Sequence, residues 1–196
     1  MGRTRRQPAR YSSIPVSNPV DRNRTLRGAA AGAAAAAVWA IQQPLDKALF
    51  ASAYDDVELL GRAVTRGNGW VAAGTALHLS NGALFGAVYA NLAPTVPLPR
   101  AVRGPGLALL EHLALWPLTT ISDRVHPARA QLPRLRGNRA AFWQAAWRHF
   151  LFGLVLGEFE RRLNRTHEPP AEPATPDWSS NGHGSLEHAV SVHETS

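Results

Sequence analysis

The chain of 196 residues contains no cysteine, and arginine supplies nearly all of its basic residues. Without cysteine there can be no disulfide, no thiolate metal site and no cysteine nucleophile. Lys47 is the only lysine, so arginine carries the net charge of +7 and the pI of about 11.1. This ratio is typical of high-GC coding, so the positive charge is weak evidence for nucleic-acid binding.

Charge is absent from residues 70–93, which contain no Asp, Glu, Lys or Arg over 24 positions. A helix of this length is about 36 Å long, enough to cross a hydrocarbon core of about 30 Å. Helices of water-soluble proteins rarely continue this far without a charged residue. The segment therefore predicts a transmembrane helix.

Three further apolar segments complete the predicted membrane domain, which covers residues 27–164. The predicted spans are residues 27–41 with an extension to 50, residues 70–93, residues 106–121 and residues 140–159. Pro117 predicts a kink or an end in the third span. Residues 51–68 are polar and predict a loop with a short surface helix. The predicted fold is an all-α, four-helix transmembrane bundle.

The two ends of the chain, residues 1–26 and 165–196, are almost wholly polar. They contain too little apolar surface to offset the entropy of ordering, so we predict disordered tails. A secretory signal is not favoured, because the pair Arg5 and Arg6 is followed by Gln7 and Pro8 rather than by an apolar stretch. The polar tails also explain much of the low mean hydropathy of −0.18.

The distribution of basic residues between the loops predicts the orientation. With both termini in the cytoplasm, the inner side would carry 12 Lys and Arg residues and the outer side eight. This excess agrees with the positive-inside rule, although five arginines between the third and fourth spans oppose it. We therefore expect a multi-pass inner-membrane protein with both termini inside.

Glycines recur four residues apart in three of the spans and predict close helix packing. The helix-packing set is Gly28, Gly32, Gly82, Gly86, Gly153 and Gly157. Small residues at this spacing allow transmembrane backbones to approach closely. In the second and fourth spans a histidine precedes the glycines by four residues, which suggests a duplicated two-helix unit with the glycine stripes facing inward.

Polar residues fall at similar depths in the second, third and fourth spans. This predicted polar layer consists of His78, Asn81, Glu111, His112, Arg148 and His149. Ionisable groups inside a bilayer are costly and normally pair with one another in the bundle interior. We expect an ion pair between Glu111 and Arg148, because it would neutralise both charges.

Three interpretations of this layer stay open. It fixes helix register through hydrogen bonds, or it passes protons or a small solute, or two of its histidines hold a haem iron or another metal. We predict no metal site and no cofactor. The sequence contains no nucleophile elbow, phosphate loop, H-E-x-x-H site or pair of catalytic carboxylates, so we predict no catalytic residues and no enzymatic activity.

These features resemble the YagU-like family of small bacterial inner-membrane proteins. The similarity covers roughly residues 27–173 and includes the glycines of the first helix, His78 with Asn81, and His112 followed by Pro117 and Leu118. The run from Arg161 to Pro169 is its most distinctive part. The resemblance implies a multi-pass inner-membrane protein with a loosely defined role in acid tolerance. The short first loop and Arg148 within a span depart from the family.

The predicted partner is the lipid bilayer, with the chain itself or another membrane protein as a further partner. No nucleic-acid partner is expected. One alternative is an assembly protein that packs another protein's helices through its glycine stripes. The second alternative is a soluble, Ala-rich helical bundle that binds nucleic acid through its arginine-rich tails.

Overall fold

Every regular element of the computed structural model is a helix within residues 21–165, the part of the chain that the structure describes. The predicted all-α class is confirmed. The helices are α1 Arg22–Phe50, α2 Asp56–Val64, α3 Trp70–Leu92, α4 Arg100–Leu115, α5 Thr119–Val125 and α6 Arg139–Arg165. Short 3₁₀ segments, Ala93–Thr95 and Trp116–Leu118, follow α3 and α4. Most of both predicted tails lies outside the described residues.

The first helix begins earlier than the sequence indicated and reaches the end of the predicted extension, residue 50. The Asp21 side chain accepts hydrogen bonds from the N–H groups of Asn23 and Arg24 and caps the helix, so residues 22–26 belong to α1 and not to the tail. At the other end α1 continues through Pro44 to Phe50 and stops where Ala51 adopts a left-handed conformation with φ of 48°. Residue 165, which was also predicted to belong to a tail, is the last residue of α6.

The third predicted span is divided in the structure. Instead of one helix over residues 106–121, α4 ends at Leu115, a 3₁₀ turn carries Pro117, and α5 begins at Thr119. Proline has no N–H to continue the helical ladder, which explains the interruption at the predicted place. The start was misjudged, because α4 begins at Arg100 and includes the pair Gly104 and Pro105.

The four long helices pack in the order α3, α1, α6, α4, and each neighbour is antiparallel to the next. Helix α1 contacts α3 and α6, whereas α4 contacts α6 and the short α2 lies on α3. Consequently the start of α1, the end of α3, the start of α4 and the end of α6 meet at one end of the bundle. The loops that contain α2 and α5 meet at the other end, where Arg62 donates a hydrogen bond to Gln131.

The described residues contain one helical stretch, Trp70–Thr95, that is long and apolar enough by itself to cross a membrane. Its most apolar window is 22% buried, so most of this helix faces outward. The four-helix transmembrane bundle is therefore not confirmed by helix length and hydropathy, which single out one span.

Small side chains fill the interior of the bundle, and large apolar side chains cover much of its outside. The central cluster contains Ala31, Ala35, Ala36 and Ala108 beside a few aromatic rings. Exposed large apolar residues on the long helices include Ile41, Leu45, Leu49, Leu84, Val88, Leu110, Leu113, Trp143, Trp147, Phe150 and Leu154. This distribution is the reverse of the one in most water-soluble bundles.

Candidate functional site

Arg148 is the centre of a buried charge network between α6 and α1. Its side chain is 0% exposed. Nε and Nη2 donate to the two carboxylate oxygens of Asp46 at 2.7 and 2.6 Å, and Nη1 donates to Asp56 at 2.5 Å. Nη2 also donates to the Tyr54 carbonyl at 3.2 Å. Every nitrogen of the guanidinium therefore has a partner.

Local helix geometry brings these groups together. Because α1 continues through Pro44, Trp39, Gln43 and Asp46 lie on one face of the helix at intervals of four and three residues. On α6, Gln144 precedes Arg148 by one turn. Its side-chain amide donates to Asp46 Oδ1 at 2.7 Å and to the Tyr54 carbonyl at 3.3 Å. The network thus joins α1, the loop after it and α6.

The loop between α1 and α2 supplies the remaining acidic groups. Burial and the neighbouring Asp56 carboxylate raise the pKa of Tyr54 well above its ordinary value, so its hydroxyl stays protonated and donates to Asp56. Burial opposes ionisation of Asp55, but hydrogen bonds from Lys47 and from the Glu58 N–H outweigh it and lower its pKa.

The predicted pair of Glu111 with Arg148 is wrong. The two carboxylates on α1 and α2 already surround Arg148, whereas Glu111 lies on α4, beyond α6. Glu111 instead lies 3.6 Å from His149, measured from Oε2 to Nε2, and 36% of its side chain is exposed.

Two of the predicted histidines, His78 and His149, contact a tryptophan that the sequence analysis did not include, and the third, His112, contacts His149. The Trp39 ring is 5.1 Å from the His78 ring and 4.8 Å from the His149 ring, between centroids. The His112 ring lies 4.9 Å from His149. The indole Nε1 of Trp39 donates to Asp56 at 3.1 Å, so this aromatic cluster is connected to the charge network.

Hydrogen-bond partners indicate which ring nitrogens carry protons. His149 Nδ1 lies 2.7 Å from the Ala145 carbonyl and His78 Nε2 lies 3.1 Å from the Ala36 carbonyl. A carbonyl oxygen only accepts, so each of these nitrogens is protonated. His112 is buried, and its Nε2 has no hydrogen-bond partner within residues 21–165.

Asn81 does not belong to the layer, because its side chain is exposed on the outer face of α3. Metal binding is not indicated either. Among the described residues no group of three or more His, Cys, Asp or Glu side chains is placed to hold a metal ion. The His112 and His149 rings contact each other directly, which leaves no space between them for a haem.

The predicted glycine stripes lie at helix crossings inside the chain. A Cβ on Gly32 would overlap the Gly82 carbonyl, and one on Gly28 would overlap the Gly86 carbonyl, so α1 and α3 pack backbone to backbone. On α6, Gly153 packs against Gly104 of α4, while Gly157 lies near the Tyr89 hydroxyl. The stripes of α3 and α6 therefore face the long helix that precedes each of them and not one another.

Four residues of the network were absent from the sequence analysis: Asp46, Tyr54, Asp56 and Gln144. One signal existed for Asp46, because extending α1 to residue 50 places it on the face of Trp39. Gln144 had the same kind of signal, because a spacing of four residues places it on the helix face of Arg148. Tyr54 reaches the site from a loop and Asp56 from the first residue of α2, and no periodicity indicates either.

Comparison of the chain with family models, with curated proteins and with solved structures gives no match. The resemblance to the YagU-like family therefore stays an expectation. The site therefore combines two features. The guanidinium of Arg148 has a partner for every nitrogen, whereas the neighbouring pair of His149 and Glu111 is not fully hydrogen-bonded.

Proposed function

We propose that this chain is a multi-pass membrane protein in which Glu111 and His149 form a proton-binding site. Helices α1, α3, α4 and α6 would cross the bilayer, and lipid would surround the bundle. The observation that carries the proposal is the contact between His149 Nε2 and Glu111 Oε2, at 3.6 Å, on a bundle with an apolar exterior.

The exterior supports the membrane assignment. In water, exposed large apolar side chains over four helices would form patches far beyond those of ordinary monomers. In lipid the same side chains need no cover, and small residues at helix crossings hold the bundle together. The interior, with Arg148 enclosed by carboxylates, fits the rule that ionisable groups in membranes pair inside the bundle.

The protonation of His149 supports the second part of the proposal. Since its Nδ1 donates to the Ala145 carbonyl, Nε2 of the neutral ring presents a lone pair to the Glu111 carboxylate. Two acceptors then face each other. One proton removes the repulsion, either as a carboxylic acid that donates to Nε2 or as an imidazolium that donates to the carboxylate. The two groups together therefore form one proton-binding site.

A third histidine, His112, lies next to this pair. Its ring contacts His149, and its buried Nε2 has no partner among the described residues. Such a proton-responsive layer agrees with the acid-tolerance role that the family resemblance implies.

The structure bears differently on the two alternatives, the assembly protein and the bundle that binds nucleic acid. The glycine stripes of α1, α3 and α6 are occupied by helices of the same chain, so they offer no surface to another protein's helix. The nucleic-acid alternative depends on the arginine-rich tails, most of which lie outside the described residues.

Membrane fractionation tests the first part of the proposal. We expect the expressed chain to sediment with membranes, to resist extraction with alkaline carbonate and to enter solution with detergent. A monodisperse, helical chain in the supernatant without detergent would contradict the membrane assignment and support the nucleic-acid alternative.

Proton uptake between pH 8 and pH 5, measured with an indicator dye on the chain in uncharged detergent, tests the second part. Glu111→Gln and His149→Gln should each take up fewer protons than the wild type, because each removes one of the two groups that share the proton. Glu158→Gln is the control, since this carboxylate lies between Arg161 and Arg162 and stays ionised. Equal uptake in all four proteins would overturn the proton site.

A further inference from the structure

A cationic cavity lies at the end of the bundle where α1 and α4 begin and where α3 and α6 end. Its volume is about 300 Å³. Six arginines line it, namely Arg24, Arg27, Arg100, Arg103, Arg161 and Arg165. The acidic residues in its lining are Asp21 and Glu160. It is separate from the Glu111 and His149 pair, whose residues do not line it.

The two carboxylates do not neutralise this cavity, because they oppose two negative charges to six positive ones. Asp21 caps α1 through the N–H groups of Asn23 and Arg24. Glu160 accepts from Arg24 at 3.3 Å and from Asn164 at 2.9 Å. Most of the positive charge of the cavity therefore has no counterion among residues 21–165.

The side chains of three of these arginines form no hydrogen bond or ion pair with any described residue. They are Arg27, Arg100 and Arg165. The others are held in place, as Arg103 donates to the Leu98 carbonyl at 2.7 Å and Arg161 pairs with Glu158. A guanidinium has five donors and seeks acceptors. Free guanidinium groups around one cavity thus offer donors for an incoming anion.

A tyrosine hydroxyl in the cavity wall offers a further donor to a ligand. Tyr89 is 4% exposed and lines the cavity, yet its hydroxyl has no hydrogen-bond partner among the described residues. Because the hydroxyl lies in the cavity wall, it can donate to an acceptor that enters the cavity.

We propose that this cavity binds a phosphate group, carried either by an anionic lipid headgroup or by a free phosphate ion. Guanidinium groups bind phosphate through paired, charge-assisted hydrogen bonds, and the Tyr89 hydroxyl donates a further one. Basic pockets between membrane helices on the cytoplasmic side are suited to anionic headgroups. The positive-inside rule places the start of α1 and the end of α6 on that side.

Binding of defined phosphate compounds to the full chain in uncharged detergent at pH 7.4 tests this proposal. One arm titrates phosphatidylglycerol against phosphatidylcholine and follows lipid-bound species by native mass spectrometry. The second arm titrates inorganic phosphate against chloride and follows thermal stability. We expect phosphatidylglycerol to bind at least about tenfold more tightly than phosphatidylcholine if the source is lipid, and millimolar phosphate to stabilise the chain if it is free phosphate.

The variant Arg100→Gln with Arg165→Gln removes two unpaired guanidinium groups without breaking an internal contact. It should weaken binding of the preferred compound by at least about tenfold, and Tyr89→Phe should weaken it by several fold. The matched control, Arg124→Gln with Arg136→Gln, removes the same charge from exposed positions at the other end of the bundle and should leave binding unchanged.

Two results would overturn the proposal: no binding preference in either arm, or equal weakening by the cavity pair and by the control pair. The second result would indicate long-range charge attraction without a site. The variant Glu111→Gln separates this inference from the proton site, since it should leave phosphate binding unchanged while it alters proton uptake.

Discussion

Arg148 of α6 holds Asp46 of α1 through two parallel hydrogen bonds across 102 residues of sequence. Both side chains are 0% exposed. This paired geometry gives each carboxylate oxygen a charged donor and fixes the rotation of α1 relative to α6. Asp56 and the Tyr54 carbonyl complete the partners of the guanidinium and attach the first loop to the same point.

Removing one member of this pair should strongly destabilise the bundle. Asp46→Ala leaves Arg148 buried with part of its charge uncompensated, and we expect a loss of about 3–5 kcal/mol in the free energy of unfolding. Glu58→Gln breaks the partly exposed pair with Arg62 and should cost less than about 1 kcal/mol. Unfolding in detergent by increasing dodecyl sulfate measures both, and equal losses would contradict the special role of Asp46.

The sequence predicted α3 well because the information was local. A run without charges specifies an apolar helix, and α3 begins at Trp70 as predicted and ends at Leu92. The sequence left two ends for α1, residue 41 and residue 50, because Gln42, Gln43 and Pro44 indicate a helix end locally. The structure has the longer helix, in which Asp46 finds its partners Gln144 and Arg148 on α6.

The sequence predicted which residues belong to the site better than it predicted which of them pair. His78, His112 and His149 were expected in one layer, and the structure connects their rings, since Trp39 contacts His78 and His149 and His149 contacts His112. The partner of Arg148 was wrong, because depth in a span does not determine which helices are neighbours. Here α6 lies between α1 and α4, so Arg148 faces one neighbour and His149 the other.

Glycine at the α1–α3 crossing should be required for stability. Gly32→Ala places a Cβ against the Gly82 carbonyl, so the two helices must separate, at a cost of about 1–3 kcal/mol. Gly106→Ala is the control, because its Cβ would have nothing nearer than Leu98 at 3.9 Å. That change should stabilise α4 by up to about 1 kcal/mol. Thermal unfolding in detergent that ranks the two variants the other way would contradict the close crossing.

Acid should weaken the contact between Lys47 and Asp55. The pKa of Asp55 is lowered in the folded chain, so this group contributes stability above its unfolded value, about 3.9, and that contribution disappears as pH falls through the folded value. In Asp55→Asn the capping oxygen for the Glu58 N–H is kept but the charge is lost. Its stability should therefore decline less steeply below about pH 4 than that of the wild type. Parallel declines would exclude a role for Asp55.

Single cysteines introduced by substitution should show on which side of the membrane each end of the bundle lies. The chain has no cysteine of its own, so no other residue would be labelled. Asn23 and Thr95 lie at the arginine-rich end, and Asn68 and Ala130 lie in the loops at the other end. With the positive end inside, a membrane-impermeant maleimide should label Asn68→Cys and Ala130→Cys in intact cells. It should label Asn23→Cys and Thr95→Cys only after permeabilisation. Labelling of all four from one side would mean that α1, α3 and α4 do not cross the bilayer, and the proton-binding pair would then lie in a different medium from the one proposed.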